Sequence, residues 1–367
     1  MKTNGLVGCA TLALSFALVV SSLAQEGAQF VSLPSVDAVM DGSCCTAESD
    51  DCYCCDPGHF FFAGVEATFL QTQVFSGGVI TASFSDTTAP GVSTFATIDG
   101  NGVDHFAYAP RLWLGFQLNE NWGVVGRYWD LTVVQSNTPP APNPAIPNTG
   151  TNFATIFEVD NARLYTADIE IVRSLESWGW KIDMAGGYRH AHVGANSDFL
   201  AFGVFTTGNF INLTLQNGFG FDGEGATAAL MGRYRLGDSP LHFFLGGRFS
   251  YLRGETDSYG RSDGTIADSP SAPLVGAATV TRRNAKAELD IAEFQTGVQF
   301  DFELVVLPAS AFLRAAFEYQ FWDVDAPPTG GAGFGGTIGE LTTNSFASAG
   351  IGDAILYGVS VSTGVNW

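Results

Sequence analysis

Charged side chains recur on the polar face of segments in which polar and apolar residues alternate. Seven arginines and seven carboxylates have this placement, so the polar faces taken together are close to neutral. Opposite charges that share a confined interior pair with one another, because an unpaired charge there is costly. The pattern predicts either a narrow passage lined by charges or an interior closed by ion pairs. The fourteen candidate pore-lining residues are Glu66, Arg111, Arg127, Asp168, Glu170, Asp183, Arg189, Arg233, Arg235, Arg248, Glu293, Asp301, Arg314 and Glu318.

A second group of reactive side chains is a cluster of five cysteines near the N-terminus. It lies within residues 25–57, which contain seven acidic residues and no basic one. In an exported protein such cysteines form disulfides, and an odd number leaves one free or bonded to another chain. Zinc is the alternative, but the CC-x6-C-x-CC spacing fits no zinc-finger pattern. We expect a tether rather than a folded domain here. The disulfide candidates are Cys44, Cys45, Cys52, Cys54 and Cys55.

The overall composition argues against several classes of protein. The chain has 16 basic and 37 acidic residues, a net charge of −21, so it lacks the basic footprint of a nucleic-acid-binding protein. An apolar content of 46% and an aromatic content of 13% are too high for a disordered chain. The abundance of Gly and Phe and the scarcity of Lys disfavour a soluble helical protein. The composition favours a β-rich protein with much apolar surface, which lipid would tolerate.

The N-terminus has the features of a secretory signal peptide. Lys2 provides a short positive region, residues 12–20 are apolar, and small residues precede a predicted cleavage site before Gln25. A transmembrane anchor needs about 20 apolar residues and basic flanks, so it fits less well. We therefore predict a signal peptide at 1–24, the acidic Cys-rich segment at 25–57 and a membrane domain at 58–367.

From residue 60 onward the apolar residues recur with a period of two, over about ten positions at a time. In one segment Leu112, Leu114 and Phe116 alternate with Arg111 and Gly115. This alternation is typical of the strands of a membrane β-barrel. It predicts ten transmembrane strands, with twelve as the alternative. The predicted strands are 60–75, 104–118, 122–134, 155–172, 178–192, 223–236, 241–253, 286–302, 311–324 and 351–367.

The connections between these segments alternate between long and short. Membrane barrels have long extracellular loops, short periplasmic turns and an even number of strands. The order therefore predicts an all-β, transmembrane, antiparallel up-and-down barrel. A soluble β-sandwich also alternates, but it gives no reason for this order of loops. Pro- and Gly-rich stretches at 138–150 and 327–336 are expected to be irregular. The long connections are 76–103, 135–154, 193–222, 254–285 and 325–350.

Aromatic residues near the ends of the apolar stripes predict the interfacial girdles of a membrane protein. They are Trp122, Trp178, Trp180, Trp322, Tyr128 and Tyr188.

The chain itself ends on an aromatic residue that closes a period-two segment. Trp367, Val365 and Tyr357 share one face of this segment. Such an end resembles the C-terminal insertion signal of bacterial outer-membrane barrels. The resemblance implies recognition by the barrel-insertion machinery and a location in the bacterial outer membrane.

Three stretches resemble the Legionella-type major outer-membrane protein family. They are RLWLGFQLNENWGVVGRYWDL (111–131), GWKIDMAGGYRHAH (179–192) and GFDGEGATAALMGRYRLGDSPLHFFLGGRFSYLRG (220–254). In layout the resemblance extends from about residue 58 to 367. It implies a pore-forming, porin-like barrel that allows passive diffusion of small hydrophilic solutes or ions. The acidic loops add an expected weak preference for cations, because they raise the local cation concentration.

Two alternatives to a pore follow from the same residues. The first is a structural or adhesive surface barrel whose lumen is closed by ion pairs. The second, more remote, is a protease-like outer-membrane enzyme that uses Asp104, His105, His190 or His192. His190 and His192 fall on the lipid-facing frame, and no Ser or acidic residue has a convincing triad spacing. We therefore expect no enzyme activity, no cofactor and no metal, with membrane lipid and a possible disulfide-linked partner as neighbours.

Overall fold

The alternation of polar and apolar residues is realised as β-structure. The computed structural model describes residues 60–76, 79–86, 93–99, 103–119, 121–137, 151–205, 210–267, 275–304, 309–326, 331–338, 341–348 and 351–366. The predicted signal peptide, the Cys-rich segment, the Pro-rich stretch at 138–150 and Trp367 lie outside the described residues. Within these ranges, no helix is long and apolar enough to cross a membrane.

The described part of the chain forms fourteen strands, which are numbered here in chain order. They are β1 (Phe60–Ser76), β2 (Val79–Asp86), β3 (Ser93–Asp99), β4 (Val103–Asn119), β5 (Trp122–Asn137), β6 (Thr151–Ser177), β7 (Trp180–Phe205), β8 (Phe210–Arg235), β9 (Leu241–Ala267), β10 (Val275–Glu303), β11 (Ser310–Asp325), β12 (Gly331–Ile338), β13 (Leu341–Ser348) and β14 (Ile351–Asn366).

Ten of these strands close into an antiparallel barrel. Strands β4 to β11 follow one another in sequence order, and β14 completes the ring by pairing with both β11 and β1. Strand β1 in turn pairs with β4, so the sheet has no free edge. The prediction of ten barrel strands in an up-and-down order is confirmed, and the alternative of twelve is wrong. We call the end with the short connections after β4, β6, β8 and β10 the short-turn end, and the opposite end the long-loop end.

The predicted long loops are largely strand rather than irregular chain. Strands β6 to β10 are 26–29 residues long, against 16 or 17 for the other barrel strands. They take in most of 193–222 and 254–285, which we expected to be loops. These extensions carry Gly, Ser and Asp on both faces, so no alternation marks them. The extensions are stabilised by continuous backbone pairing with neighbouring strands. The local alternation of polar and apolar residues does not reveal this pairing.

A second sheet stands at the long-loop end. Its order is β12-β13-β2-β3, and it is built from the two connections that flank the adjacent strands β1 and β14. Strands β12 and β13 approach the long-loop extension of β9 on the other side of the barrel mouth. The expectation that 327–336 is irregular is therefore wrong for 331–336, which belong to β12. The closure of the barrel explains this sheet, because it brings two sequence-distant connections side by side.

A broad apolar belt surrounds the outside of the barrel. Leu112, Leu114, Ile169, Leu230 and Phe249 point outward and are at least half exposed. A sandwich would bury such side chains against a second sheet, and a soluble protein rarely exposes so large an apolar patch. The belt is the surface that a membrane barrel turns toward acyl chains.

Aromatic side chains border this belt on both sides, as expected for interfacial girdles. Near the short turns, Trp122 and Trp178 are exposed, and Trp180 packs its ring against Tyr234. At the opposite border, outward-facing tyrosines occur on seven of the ten barrel strands. These tyrosines are Tyr108, Tyr128, Tyr165, Tyr188, Tyr251, Tyr319 and Tyr357. Between the two borders lies the membrane-spanning part of the barrel.

A charge placed within the belt should destabilise the barrel. Ile169 is eight residues from the end of β6 and close to the middle of the belt. We expect Ile169→Arg to lower the free energy of unfolding in lipid vesicles by about 2–4 kcal/mol, because folding would place the arginine charge in the hydrocarbon of the bilayer. The measurement is a urea titration followed by the gel mobility of the folded barrel.

Val280 provides the matched control, since it is as exposed as Ile169 but lies far along β10 toward the long-loop end. We expect Val280→Arg to change the free energy of unfolding by no more than about 0.5 kcal/mol. Equal losses for both variants would mean that the belt does not face lipid.

Candidate functional site

The inward faces of the barrel strands carry an interconnected set of ion pairs. At its centre is Arg189 of β7, which is only 1% exposed. Its guanidinium donates to both oxygens of Asp168 on β6, with Nε–Oδ1 at 2.6 Å and Nη2–Oδ2 at 2.8 Å. Its remaining amino group donates to Glu293 on β10. Because β7 and β10 are not neighbours, this arginine links strands across the lumen.

Two further arginines extend this network around the wall. Arg248 of β9 donates to Asp168 Oδ2 at 3.2 Å and also to Glu170. Arg127 of β5 lies on the other side, with its Nη1 at 3.4 Å from Glu170 Oε2. The carboxylates of β6 are thus shared among arginines from three different strands.

A second network is centred on Arg111 of β4. Its Nη1 contacts Glu66 Oε1 at 3.1 Å, and its Nη2 contacts Glu318 Oε1 at 2.5 Å. Gln295 bridges the two carboxylates by donating to Glu66 at 3.1 Å and to Glu318 at 2.9 Å. Gln320 donates to Glu318 as well, at 2.6 Å. Both glutamines lie on the polar faces of their predicted strands. They were not among the predicted lumen residues, because that prediction was limited to residues with a formal charge.

The remaining candidate residues lie nearer the short turns. Asp183 accepts from Ser174 Oγ at 2.6 Å and pairs with Arg233. Asp301 lies 3.1 Å from His242 Nε2 and accepts from a glutamine on the same strand. The inward frame included His242, but it was not among the fourteen predicted residues.

Arg235 differs from the other candidate residues. Its Nε donates to the backbone carbonyl of Ser239 at 3.1 Å. The side chain therefore stabilises the short turn between β8 and β9. We predicted that it would line the lumen, but its position one residue before the turn gives it closer backbone acceptors.

An internal cavity of about 180 Å³ lies within the charged layer. Aromatic rings occupy its short-turn side, where Trp113 stacks on Phe312 with ring centroids 6.3 Å apart. Trp113 lies directly over Gly64 of the neighbouring strand, where any Cβ atom would overlap its ring. The missing side chain at Gly64 is what lets this large ring lie flat against the wall.

Beyond the charged layer, toward the long-loop end, the lumen is filled by apolar side chains. Every one of the ten barrel strands contributes to this cluster, and its members are at most 8% exposed. We call it the apolar layer. Its ten representatives, one from each strand, are Leu70, Ala109, Leu131, Leu164, Val193, Phe221, Leu252, Leu289, Trp322 and Leu356.

Trp322 lies in the apolar layer and not in an interfacial girdle. It is 1% exposed, its ring centroid is 5.9 Å from that of Trp129, and its Nε1 donates to Gln320 at 3.0 Å. The prediction of a girdle position was therefore wrong. The period of two along β11 already indicates the inward position of Trp322. Leu313 and Phe317 place the odd-numbered residues of β11 on the lipid side, and Trp322 has an even number.

Above the apolar layer, a buried carboxylate gives the barrel a pH dependence. Asp160 of β6 accepts from Ser197 Oγ at 2.5 Å, while its Oδ2 has no partner. Burial raises the pKa of Asp160, and nearby Asp198 adds to the rise. Ionised Asp160 therefore costs stability above its folded-state pKa and costs nothing below its ordinary pKa of 3.8.

We expect Asp160→Asn to raise the free energy of unfolding by on the order of 1 kcal/mol at neutral pH. The gain should disappear as the pH falls below about 4, where the carboxyl of the unfolded chain is protonated as well. Urea titrations across this pH range measure it, with the exposed turn residue Asp238, changed to Asn, as the control. A gain that does not depend on pH would contradict the assignment.

Two of the three histidines considered for catalysis, His190 and His192, face outward, whereas His105 is on the inward frame of β4. His190 Nε2 is 3.0 Å from the Tyr165 hydroxyl, and the ring of His192 stacks on Tyr165. Both histidines lie near Asp222, with His190 Nε2 at 3.6 Å from Asp222 Oδ1 and His192 Nδ1 at 3.4 Å from Asp222 Oδ2. This group belongs to the outer surface at the tyrosine border and is separated from the lumen by the wall. Among the described residues, no group of three His, Cys, Asp or Glu side chains is arranged to hold a metal ion.

The fold and interior define a closed ten-stranded barrel of the architecture found in bacterial outer-membrane proteins. It is similar to Neisserial surface protein A, with 10% identity, coverage of 81% of this chain and 95% of that chain, and a TM-score of 0.20. It is also similar to the protease OmpT of Escherichia coli, with 11% identity, coverage of 84% of this chain and 96% of that chain, and a TM-score of 0.35. A third similar structure is the attachment invasion locus protein Ail of Yersinia pestis, with 8% identity, coverage of 83% of this chain and 98% of that chain, and a TM-score of 0.19.

These likenesses concern the fold alone. No family model and no curated protein matches this chain. The resemblance to the Legionella-type major outer-membrane protein family therefore stays a prediction.

Proposed function

We propose that this protein is an outer-membrane barrel with a closed lumen, which serves as a structural or adhesive element of the cell surface. The observation that carries the proposal is the apolar layer. It receives side chains from all ten barrel strands and fills the lumen above the ion pairs. The long-loop end, with the extended strands β6 to β10 and the second sheet, is then the extracellular part.

The physical reason for closure is the cost of bringing ions through a dry constriction. An ion or a sugar keeps its hydration in a water-filled channel, whereas hydrophobic constrictions exclude water and block conduction. A barrel of eight strands is just filled by its own side chains, and one of 16–18 strands leaves an aqueous channel. Ten strands lie near the filled end of this range, and large residues such as Trp129, Phe221 and Trp322 occupy the space.

A porin-like pore with weak cation preference is the second candidate function. The observation that favours it is the cavity of about 180 Å³ in the charged layer. That cavity accounts for only the short-turn half of the lumen. A pore would require the apolar layer to move aside.

Conductance distinguishes the two candidates. Mature protein is refolded and inserted into planar bilayers, and liposome swelling is measured with small sugars. For the closed barrel we expect neither current steps nor swelling. Steady wild-type conductance with cation preference would contradict the closed lumen and support the pore.

A variant with Trp129→Ser, Leu131→Ser and Trp322→Ser shows whether the assay can detect an opening. It removes three side chains of the apolar layer and leaves the ion pairs in place. We expect conductance in this variant alone.

Membrane location and partners belong to the same proposal. The apolar belt and its aromatic borders support insertion in lipid, and the C-terminal pattern with Tyr357 and Val365 supports recognition by the barrel-insertion machinery. A partner bound by disulfide through the N-terminal cysteines is a further proposal. Fractionation of cells that express the full chain, with and without reducing agent on the gel, tests both.

The proposed role is not enzymatic. The supporting observation is that His190 and His192 contact Tyr165 and Asp222 on the outer surface, outside any enclosed site. Incubation of the folded barrel with a mixed peptide library tests this. Hydrolysis that is lost in the His190→Ala variant would contradict it.

A further inference from the structure

One buried arginine in the charged layer has donors that no protein group uses. Arg233 of β8 is 1% exposed and pairs with Asp183 through Nη2. Its Nε and Nη1 atoms are buried and have no hydrogen-bond partner. Its side chain lines the cavity. A buried charged donor without an acceptor is costly, so this position calls for one.

A second arginine faces the same cavity without a carboxylate. Arg314 of β11 stacks on Phe244, with its guanidinium carbon 4.5 Å from the ring centroid. Its Nε and Nη2 both donate to the single oxygen Oε1 of Gln299, at 3.0 and 2.6 Å. Within the described residues, no carboxylate lies within 4.0 Å of its nitrogens. Phe244 of β9 is also the residue whose backbone pairs with that of Arg233, so the two arginines lie near the same position of β9.

Arginines dominate the wall of the cavity, but their charges are balanced. Six arginines and four carboxylates line the cavity. Glu318 and Glu170, which lie outside this lining, pair with Arg111 and Arg248, so the charges of the six arginines are matched by six carboxylates. Among the described residues, Arg314 is the one of the six arginines that contacts no carboxylate. Arg233 and Arg127 repel the charge of Arg314 across this space, whereas Glu66 and Asp301 attract it. The arginines are Arg111, Arg127, Arg189, Arg233, Arg248 and Arg314, and the carboxylates are Glu66, Asp168, Asp183 and Glu293.

We propose that this cavity binds a small inorganic oxyanion, of the sulfate or phosphate class, between Arg233 and Arg314. Guanidinium groups are the preferred protein donors to such anions, because their N–H groups form charge-assisted hydrogen bonds with the oxygens. The volume of about 180 Å³ is several times the ~30 Å³ share of a water molecule, so an anion fits together with a few waters.

The anion links strands that the sheet does not pair directly. Arg233 lies on β8 and Arg314 on β11, with β9 and β10 between them. An anion held by both would supply the missing acceptor for Arg233 and relieve the repulsion between the two charges. It would act as an internal brace of the barrel.

The test is equilibrium dialysis of the folded, mature chain in detergent against ³⁵S-sulfate and, separately, ³²P-phosphate. Sodium chloride holds the ionic strength constant, so that general salt effects do not vary. We expect saturable binding of one anion per chain for at least one of the two probes. No saturable binding of either probe, the result if water alone fills the cavity, would overturn the proposal.

Variants assign the bound anion to the cavity. Arg314→Met is the main one, because it leaves no carboxylate without its partner, and we expect it to weaken binding at least tenfold. Arg233→Met should do the same, although its loss also affects Asp183. Arg282→Met, at an exposed pair with Asp257, is the matched control and should bind like the wild type.

Gel mobility of the folded band shows that each variant has folded before dialysis. Equal binding by Arg314→Met and Arg282→Met would overturn the site. Anion binding and conductance are measured separately, so the two proposals can fail independently. A closed barrel without a bound anion would overturn only the anion site, and a conducting barrel with a bound anion would overturn only the closed lumen.

Discussion

Replacing Arg189 by methionine is expected to lower the free energy of unfolding by about 3–5 kcal/mol. Arg189 is almost completely buried and holds both Asp168 and Glu293. Its removal leaves two carboxylates in the lumen with fewer compensating charges. The loss arises mainly from these carboxylates, because burying a charge without its partner costs more than the pair itself contributes. A urea titration in lipid vesicles measures it.

The matched control is an arginine whose ion pair is exposed. Arg282 pairs with Asp257 on neighbouring strands at the long-loop end, and its side chain is 68% exposed. We expect Arg282→Met to change the free energy of unfolding by no more than about 1 kcal/mol. If both variants lost the same amount, the network around Arg189 would not be the stabilising unit that its burial indicates.

A triple variant separates the cost of orphaned charges from the loss of packing. Arg189→Met, Asp168→Asn and Glu293→Gln together remove the whole ionic group. We expect this protein to recover part of the stability lost in Arg189→Met, since no carboxylate then lacks its arginine. No recovery would mean that the arginine stem, rather than its charge, is what the barrel needs. Arg248, which also contacts Asp168, limits how complete the recovery is.

Much of the barrel could be predicted from sequence because lipid imposes a strict rule on every strand. Outward side chains between the two interfaces must be apolar, so Leu112, Leu114 and Phe116 identify one face of β4 without any tertiary information. The opposite face follows from the period of two. This is why the inward positions of Arg111 and Arg189 could be read from their own strands.

The rule ends where the lipid ends, and the predictions failed at the same place. Beyond the tyrosine border the outer face meets water, so polar residues occupy both faces of the extended strands. The stretches 193–205 and 254–267 then look like loops, although each continues a strand that is paired on both sides. The sheet of β2, β3, β12 and β13 depends on the adjacency of β1 and β14, which only closure creates.

The partners within the lumen were also beyond the reach of the sequence. The frame indicates that Arg111, Glu66 and Glu318 face inward, but not that one arginine holds both carboxylates. That arrangement depends on the tilt and stagger of the strands, which set the height of each residue. The apolar layer was missed for a different reason. We assumed that inward positions are polar, so Leu131 and Val133, which interrupt the alternation of β5, were not recognised as lumen-filling residues.

The position of Trp322 makes a second large effect expected. We expect Trp322→Ala to lower the free energy of unfolding by about 3–5 kcal/mol, because a large buried ring would leave a cavity in the apolar layer. Its ring contact with Trp129 and its hydrogen bond to Gln320 are lost at the same time. The measurement is again a urea titration in vesicles.

Trp178 is the matched control, since it is 94% exposed at the short turn between β6 and β7. We expect Trp178→Ala to change the free energy of unfolding by no more than about 1 kcal/mol. Had Trp322 belonged to an interfacial girdle, both tryptophans would contact lipid headgroups and the two losses would be alike. A large difference between them therefore tests the inward frame of β11, and with it the apolar layer on which the closed lumen depends.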